Sequence, residues 1–228
     1  VKEGIRSICK GFPESYWQKL DQKRSYPQDF VNTLTDSGFL GVLIPKKYGG
    51  SGLSLRAASV ILEEIHRSGG NGAACHAQMY IMGSLLRHVD DGLKNKYLPE
   101  IAKGNLRLQA FGVTEPTSGS DTLSIKTSAK KNGNKYIING QKVWTSRAEY
   151  SDLILLLART NNYEIKKNNL SLFLIDMRSH VGKSIIIKPI KTMVNHSSTE
   201  IFLDNLEVDA DCLAVSYTHL RAHETGGY

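Results

Sequence analysis

The first half of the chain repeats apolar residues at the spacing of an α-helix. The clearest segment is SLRAASVILEEIHRSGG (54–70), where one face is formed by residues at i, i+3, i+7 and i+10: Leu55, Ala58, Leu62 and Ile65. Ser54 has a side chain that can cap the first turn, and Gly69 with Gly70 ends the helix. The pattern predicts an amphipathic helix that packs against a core.

Three more helices are predicted around this one. The segment 26–39 has apolar residues at Phe30 and Leu34 and stops at Gly38. The segment 72–89 is apolar nearly all round, which predicts a deeply buried helix. The segment 91–104 forms a fourth helix, and Pro99 is expected to break or kink it because proline lacks a backbone N–H.

After Leu106 the pattern changes to short β-rich runs. Seven follow at close intervals: RLQAFGV (107–113), SIKTSAKK (124–131), KYIING (135–140), DLILLLAR (152–159), LSLFLID (170–176), SIIIKPI (184–190) and EIFLDNLEV (200–208). In the second run Ile125, Thr127 and Ala129 alternate with polar residues, as in a half-buried strand. Asn132-Gly133 predicts a hairpin turn between the second and third runs, and the polar segment 161–169 predicts a loop.

The order of these elements predicts an α+β protein. An N-terminal all-α helical domain at 1–108 is followed by an antiparallel β-sandwich or barrel domain at 109–213. Residues 214–228, AVSYTHLRAHETGGY, show no clear period, and we predict a non-native tail. The part VSYTHLRAHET resembles a translated sequencing adapter, so we expect the natural reading frame to be interrupted after about Leu213 or Ala214.

The composition is that of an ordinary globular protein, with 40% hydrophobic and 22% charged residues in 228. No apolar run approaches the length that spans a bilayer, and the first residues lack a signal-peptide core. They also lack an initiator Met, so we expect the true N-terminus to lie upstream. Cys9, Cys75 and Cys212 are far apart and odd in number, which disfavours a disulfide framework or a metal site and favours a cytoplasmic location.

The net charge of +7 has two explanations. Lysines are scattered over a solvated surface, or the surface attracts an anionic partner such as a phosphate-bearing cofactor or nucleic acid. No basic run is interleaved with aromatic residues, which disfavours nucleic acid. The glycine-rich YGGSGLSLRAASV is not a dinucleotide loop, because Leu55 stands where the last glycine of GxGxxG is required.

The stretch FGVTEPTSGSD (111–121) is polar and rich in turn formers. It offers the hydroxyls of Thr114, Ser118 and Ser120, and Gly112 and Gly119 allow a flat ligand to approach the backbone. Such a loop suits a heteroaromatic ring or a phosphate. The alternative is an Asx or Ser turn that closes a β-hairpin.

The stretch NGQKVWTSRAEYSD (139–152) places an indole beside a hydroxyl. In a strand Trp144 and Ser146 face the same way, so one can support a ring cofactor while the other donates a hydrogen bond. The alternative is a core tryptophan of a β-sandwich.

Together, VTEPTSGSD and NGQKVWTS resemble the acyl-CoA dehydrogenase family. GVLIPKKYGGSGL before the ILEEI helix, KYLPEIAKGNLRLQAFGVTEP before the first motif and DLILLLART after the second also match. The resemblance extends from Tyr16 to Leu213. It implies a helical domain and a β domain, which this chain has, and a C-terminal four-helix domain, which is absent here.

The resemblance also implies the cofactor FAD and its site. Motif matched to motif, the flavin and acyl-CoA site is lined by Phe111, Val113, Thr114, Gly119, Ser120, Trp144, Thr145 and Ser146. Ser120 is also an implied substrate contact. Ser146 stands where the family usually has Thr, whose hydroxyl bonds flavin N5, and Ser keeps that donor. Glu115 and Asp121 are expected to serve the loop's own hydrogen bonds.

The implied reaction is α,β-dehydrogenation of an acyl-CoA thioester, with electron-transfer flavoprotein as electron acceptor and a homo-oligomeric full-length enzyme. The catalytic base is expected in the absent domain, so the chain by itself is expected to bind FAD weakly and to be inactive. An acyl-CoA oxidase, a flavin monooxygenase or a non-catalytic flavin- or acyl-CoA-binding module remains an alternative. His196 is either a pocket residue that helps to select the acyl group or an ordinary loop histidine.

Overall fold

The computed structural model describes residues 1–160, 170–194 and 196–215. The predicted loop at 161–169 and the tail from residue 216 lie outside the described residues. Within the described part, six helices are followed by eight strands. The predicted order of a helical unit and then a β unit is confirmed.

The helices are α1 (Lys2–Lys10), α2 (Glu14–Lys23), α3 (Gln28–Asp36), α4 (Leu55–Arg67), α5 (Ala73–His88) and α6 (Asp91–Lys103). The last four were predicted. The two N-terminal helices were not, and α2 buries no residue fully, so its sequence shows little periodic signal.

Two local predictions about helix ends need correction. Ser54 occupies the N-cap of α4, but its hydroxyl makes no capping hydrogen bond. A break at Pro99 is wrong, because α6 runs through it. The helix is held by an N-cap bond from Leu93 N–H to Asp90 and by the burial of Leu98 and Ile101, which compensate for the missing proline N–H.

The strands are β1 (Leu108–Gly112), β2 (Ser128–Asn132), β3 (Lys135–Ser146), β4 (Leu153–Arg159), β5 (Leu170–Asp176), β6 (Ile185–Pro189), β7 (Ser198–Asp209) and β8 (Leu213–Val215). All seven predicted runs contain a strand. β3 continues six residues past the predicted end at Gly140 and takes in the second motif. β8 was not predicted, and it carries Ala214 and Val215, which are buried against β5 and the helices.

The strand order is β6-β7-β3-β2-β4-β5-β8, with β1 beside β4. Most neighbours are antiparallel, as predicted, but β1 lies parallel to β4 and β2 meets β4 in a single parallel pair. The predicted hairpin is present: Asn132 pairs with Lys135, and Gly133 has φ 58°.

β4 is buried along its whole length because it packs on both faces. Its odd-numbered residues from Leu153 to Leu157 join α5 and α6 in one cluster. Its even-numbered residues from Ile154 to Ala158 join β3, β6 and β7 in a second cluster. β4 and β5 therefore form a central layer, and the helices and the β unit share a core.

Gly140 is the second residue of the second motif, and the close approach of Thr127 requires a glycine there. A Cβ at this position would lie 2.7 Å from the Thr127 Cα and 2.5 Å from its Oγ1. Because the obstacle includes backbone, we expect Gly140→Ala to lower the free energy of unfolding by about 3 kcal/mol.

Chemical denaturation measures this change. The control is Gly83→Ala in α5, where a Cβ would meet nothing within 4 Å. That change should leave stability equal or raise it by up to about 1 kcal/mol, because alanine favours a helix interior. Equal stabilities of the two variants would contradict the close approach at Gly140.

Candidate functional site

The two sequence motifs lie side by side. The N–H of Val143 donates to the carbonyl of Thr114 at 2.9 Å, and the Lys142 ammonium donates to the carbonyl of Val113 at 3.0 Å. The first motif leaves the end of β1 and the second forms the end of β3, so two distant segments of sequence share one face of the molecule.

A buried ion pair joins these motifs. Lys142 Nζ lies 2.8 Å from Glu115 Oε1, with the two side chains 0% and 4% exposed. The same carboxylate accepts the N–H groups of Lys126 at 2.6 Å and Thr127 at 2.9 Å. Glu115 therefore connects β3 with the far end of the first motif's loop, which confirms its expected role in the loop's own hydrogen bonding.

The pKa values of the pair have identifiable causes. Burial raises the pKa of Glu115, but bonds from Lys142, Thr127 and Lys126 outweigh it and leave that pKa below its usual range. Burial lowers the pKa of Lys142, and the bond to Glu115 only partly opposes this. The lowered pKa of Glu115 favours the ion pair, whereas the lowered pKa of Lys142 reflects the desolvation of a buried ammonium group. Four charge-assisted hydrogen bonds surround the pair and stabilise its charged form.

The loop itself uses two more of its polar residues. The Ser118 hydroxyl donates to the Asp121 carbonyl, and the Ser124 hydroxyl donates to the Asp121 carboxylate. Ser118 is 5% exposed. It is therefore not one of the hydroxyls offered to a ligand, and Asp121 has the internal role expected of it.

Other groups of this loop stay free of protein partners. Within the described residues, the hydroxyls of Thr114 and Ser120 make no hydrogen bond, and neither do the backbone N–H groups of Gly119 and Ser120. A Cβ at Gly119 would meet nothing within 4 Å, so the space beside it is open. Gly112 was predicted to let a flat ligand approach the backbone, but the space beside it is filled by protein. A Cβ there would lie 3.0 Å from the Leu156 side chain. Its small size serves packing on β4.

A β-bulge presents the second motif to solvent. Lys142 pairs with Ile201, but Thr145 pairs with Thr199, so β3 has one residue more than β7. Trp144 takes up the excess at φ 60°, and its indole is 58% exposed. The alternative of a core tryptophan is therefore wrong. Non-glycine residues at such φ are strained by about 1 kcal/mol or more, which is typical of functional sites.

The neighbours of Trp144 divide between the two sides of the strand. Thr145 is 1% exposed, and its carbonyl accepts the Thr199 hydroxyl at 2.7 Å, so its side chain belongs to the interior. Ser146 is half-buried, and its hydroxyl makes no hydrogen bond to any residue the structure describes.

Helix α5 adds residues that the sequence predictions missed. Tyr80 is 43% exposed, and its ring lies 6.2 Å from that of Phe111 and 5.2 Å from that of His76. The sequence contained a signal for these residues: His76 and Tyr80 are polar and lie at i and i+4, on one face of a helix that is otherwise apolar nearly all round. Phe111 and Val113 are half-buried and pack against the core shared with the helices.

His196 lies near the end of the second motif, since the N–H of Arg147 donates to the carbonyl of the neighbouring Ser197 at 2.6 Å. Its Nε2 is 2.9 Å from Asp21 Oδ1 on α2, and its side chain is 13% exposed. It lines a cleft between the helices and the sheet. The loop before β7 is thereby joined to the helical layer.

These features define an α+β protein whose β unit has an edge with an exposed indole and with hydroxyls and N–H groups that have no partner among the described residues. The N-terminal domain profile of the acyl-CoA dehydrogenases matches residues 1–105, and the middle-domain profile matches residues 110–206. The chain belongs to the acyl-CoA dehydrogenase family.

Several relatives are named as dehydrogenases of CoA-linked compounds. Glutaryl-CoA dehydrogenase of Desulfococcus multivorans is 32% identical over 216 residues, which cover 91% of this chain and 54% of the relative. Cyclohex-1-ene-1-carbonyl-CoA dehydrogenase of Syntrophus aciditrophicus is 32% identical over 86% of this chain and 47% of the relative. A solved glutaryl-coenzyme A dehydrogenase in complex with glutaryl-CoA superposes with a TM-score of 0.85 at 27% identity, over 95% of this chain and 55% of that one.

The chain thus spans about half the length of the relatives it matches. Among the described residues, no helix is both long enough and apolar enough to cross a membrane.

The ion pair should respond asymmetrically to substitution. Lys142→Met leaves a buried carboxylate without its cation, so we expect the free energy of unfolding to fall by about 3–5 kcal/mol. Lys142→Met with Glu115→Gln should cost clearly less than the sum of the two single changes. Lys135→Met, whose partner Glu207 is exposed, is the control and should cost less than about 1 kcal/mol. Additive costs at Glu115 and Lys142 would contradict the coupling.

Acid should weaken the same pair. The folded-state pKa of Glu115 is lowered, so its contribution to stability is present above the unfolded pKa of about 4.3 and is lost as the pH falls through the folded pKa. Between about pH 5 and pH 3, we expect the free energy of unfolding to fall less steeply in Glu115→Gln than in the unaltered chain. Glu207→Gln is the exposed control. If the free energy of unfolding fell equally steeply with pH in all three proteins, the lowered pKa of Glu115 would be contradicted.

Proposed function

We propose that this chain is the flavin-holding part of an enzyme that dehydrogenates an acyl-CoA thioester between its α and β carbons. Support comes from the family membership and from the relatives named as dehydrogenases of acyl-CoA compounds. The observation that carries the proposal is the bulged end of β3. It exposes a large indole, and both the neighbouring Ser146 hydroxyl and several groups of the adjacent loop have no partner in the part of the chain that the structure describes.

The residues present fit the isoalloxazine of FAD. A flat heteroaromatic ring needs an apolar surface and hydrogen-bonding groups along its edge. The exposed indole of Trp144 supplies the first. The hydroxyls of Thr114, Ser120 and Ser146 and the N–H groups of Gly119 and Ser120 supply the second.

Eight residues would hold the flavin and the thioester, as the family resemblance implies: Phe111, Val113, Thr114, Gly119, Ser120, Trp144, Thr145 and Ser146. Ser146 would donate to N5 of the ring, and Ser120 would also contact the substrate. Thr145 would act through its backbone, because its side chain is interior. FAD, when bound, accepts a hydride from the β carbon.

The α proton of a thioester is too weakly acidic for a carboxylate unless donors stabilise the developing enolate. Neither carboxylate of the first loop is available for this proton, because Glu115 is paired with Lys142 and Asp121 is bonded within the loop. We place the base outside the described residues. Electron-transfer flavoprotein as the acceptor, and a homo-oligomer as the assembled enzyme, complete the proposal.

The flavin site is tested by titrating FAD into the 228-residue chain and following the quenching of flavin fluorescence. We expect weak binding, and we expect Trp144→Ala and Ser146→Ala each to weaken it about tenfold, the equivalent of about 1.4 kcal/mol. Ser7→Ala, at an exposed position of α1, is the control and should change nothing. Unchanged affinity in both site variants would overturn the assignment of this edge.

The activity is tested by adding acyl-CoA to the FAD-loaded chain and following the flavin absorbance. We expect no bleaching, because the base is not among these residues. Robust bleaching would refute that placement. In a longer protein that contains the base, reduction of electron-transfer flavoprotein without oxygen consumption is expected, and rapid oxygen consumption would instead identify an oxidase or a monooxygenase.

A further inference from the structure

A cleft of about 370 Å³ lies between α2, the turn that joins α4 to α5, and the segment that follows β3. This volume is in the range of small-molecule sites. Trp17 and Tyr26 line it from the helical side, and Arg147 and Tyr150 line it from the β side. None of the eight residues proposed to hold the flavin is part of its lining.

The side chain of Arg147 lines this cleft and has no hydrogen-bond or ion-pair partner among the described residues. The residue is 7% exposed, and its buried Nε makes no hydrogen bond. By contrast, the equally buried Arg159 donates to the carbonyls of Ile125 and Leu123. Burying a guanidinium without compensation costs several kcal/mol, so an unpaired one at a cleft points to a ligand.

The surroundings do not neutralise Arg147. Burial raises the pKa of Tyr26 and of Cys75 to about 12 each, so both groups near it are uncharged at physiological pH. Asp21 lies in the lining but is bonded to His196. Arg24 adds a second cation to the cleft.

The backbone holds Arg147 in place. Its φ is 61°, and its N–H donates to the Ser197 carbonyl at 2.6 Å. Tyr26 and Tyr150 stack with ring centroids 4.3 Å apart, which gives the cleft a rigid aromatic wall. A buried cation beside aromatic rings is complementary to an anion that carries a flat or apolar body.

We infer that this cleft binds a small organic carboxylate, whose carboxyl group pairs with Arg147 and whose body packs against Trp17 and Tyr26. A carboxylate matches the planar fork of a guanidinium in two parallel hydrogen bonds. The carboxylate has two possible sources: a free acid, or the far end of an acyl group whose thioester lies at the flavin edge. The second source depends on the proposed function, whereas the first does not.

Isothermal titration calorimetry of the 228-residue chain at low salt compares benzoate with benzamide, which has the same shape but no charge. We expect benzoate to bind at least tenfold more tightly. Arg147→Asn removes the cation, and asparagine tolerates positive φ, so the backbone is preserved. That variant should lose at least tenfold in benzoate affinity, whereas Lys130→Gln on exposed β2, which makes the same change in charge, should lose none.

Equal affinity for benzoate and benzamide, absence of benzoate binding, or full benzoate affinity in Arg147→Asn would each overturn the inference. If Arg147→Asn does not fold, the comparison of benzoate with benzamide on the unaltered chain tests the inference by itself.

A parallel titration compares glutaryl-CoA with butyryl-CoA. An Arg147-dependent preference for glutaryl-CoA identifies the acyl group as the source, and equal affinities with benzoate bound identify a free acid. Failure of FAD to bind would overturn the proposed function and leave the benzoate result intact.

Discussion

The ion pair between Glu115 and Lys142 is the interaction on which the arrangement of the two motifs depends. It ties the end of β3 to a loop that follows β1, and through Lys126 and Thr127 it holds the far end of that loop as well. A hydrophobic pair of the same volume would fill the space without fixing the direction of the loop. The buried charges instead require particular N–H groups as partners, so the loop has one conformation in which every bond is made.

The bulge in β3 is a second consequence of this arrangement. Lys142 must point inward to meet Glu115, and Thr145 must point inward to meet β7. Two inward residues three positions apart do not fit a regular strand, in which alternate residues share a face. The chain resolves the mismatch at Trp144, whose strained backbone turns a large apolar side chain outward.

Arg147 follows β3 directly and lines the cleft, one residue beyond the hydroxyl proposed to meet the flavin. The side chains of Ser146 and Arg147, which have no partner among the described residues, thus lie at the junction of the helical layer and the sheet. Since α5 contributes Tyr80 to this junction and the turn before α5 lines the cleft, the helical layer shapes the site as well as covering the core. The shared cluster of α5, α6 and the central strands fixes the distance between these parts.

Most of the fold could be predicted from local pattern, because helical and strand periodicities report which face of an element is buried. The prediction failed where pattern is weak or where packing overrides it. α2 buries no residue fully, and α6 continues through Pro99 because its buried face holds it. The parallel contact of β1 with β4 has no local signature, since strand direction in a sheet depends on residues distant in sequence.

The two motifs, and hence the family, were readable from the sequence, because the residues that carry the resemblance are contiguous and specific. Which of their groups stay free was decided only by the tertiary structure. Ser118 and Gly112 look like ligand groups in sequence, yet one bonds within its own loop and the other packs on β4. Trp144 could have been core, and Arg147 carried no signal at all. Whether a polar or apolar side chain finds a partner inside the protein depends on residues that folding brings together, and no local pattern records them.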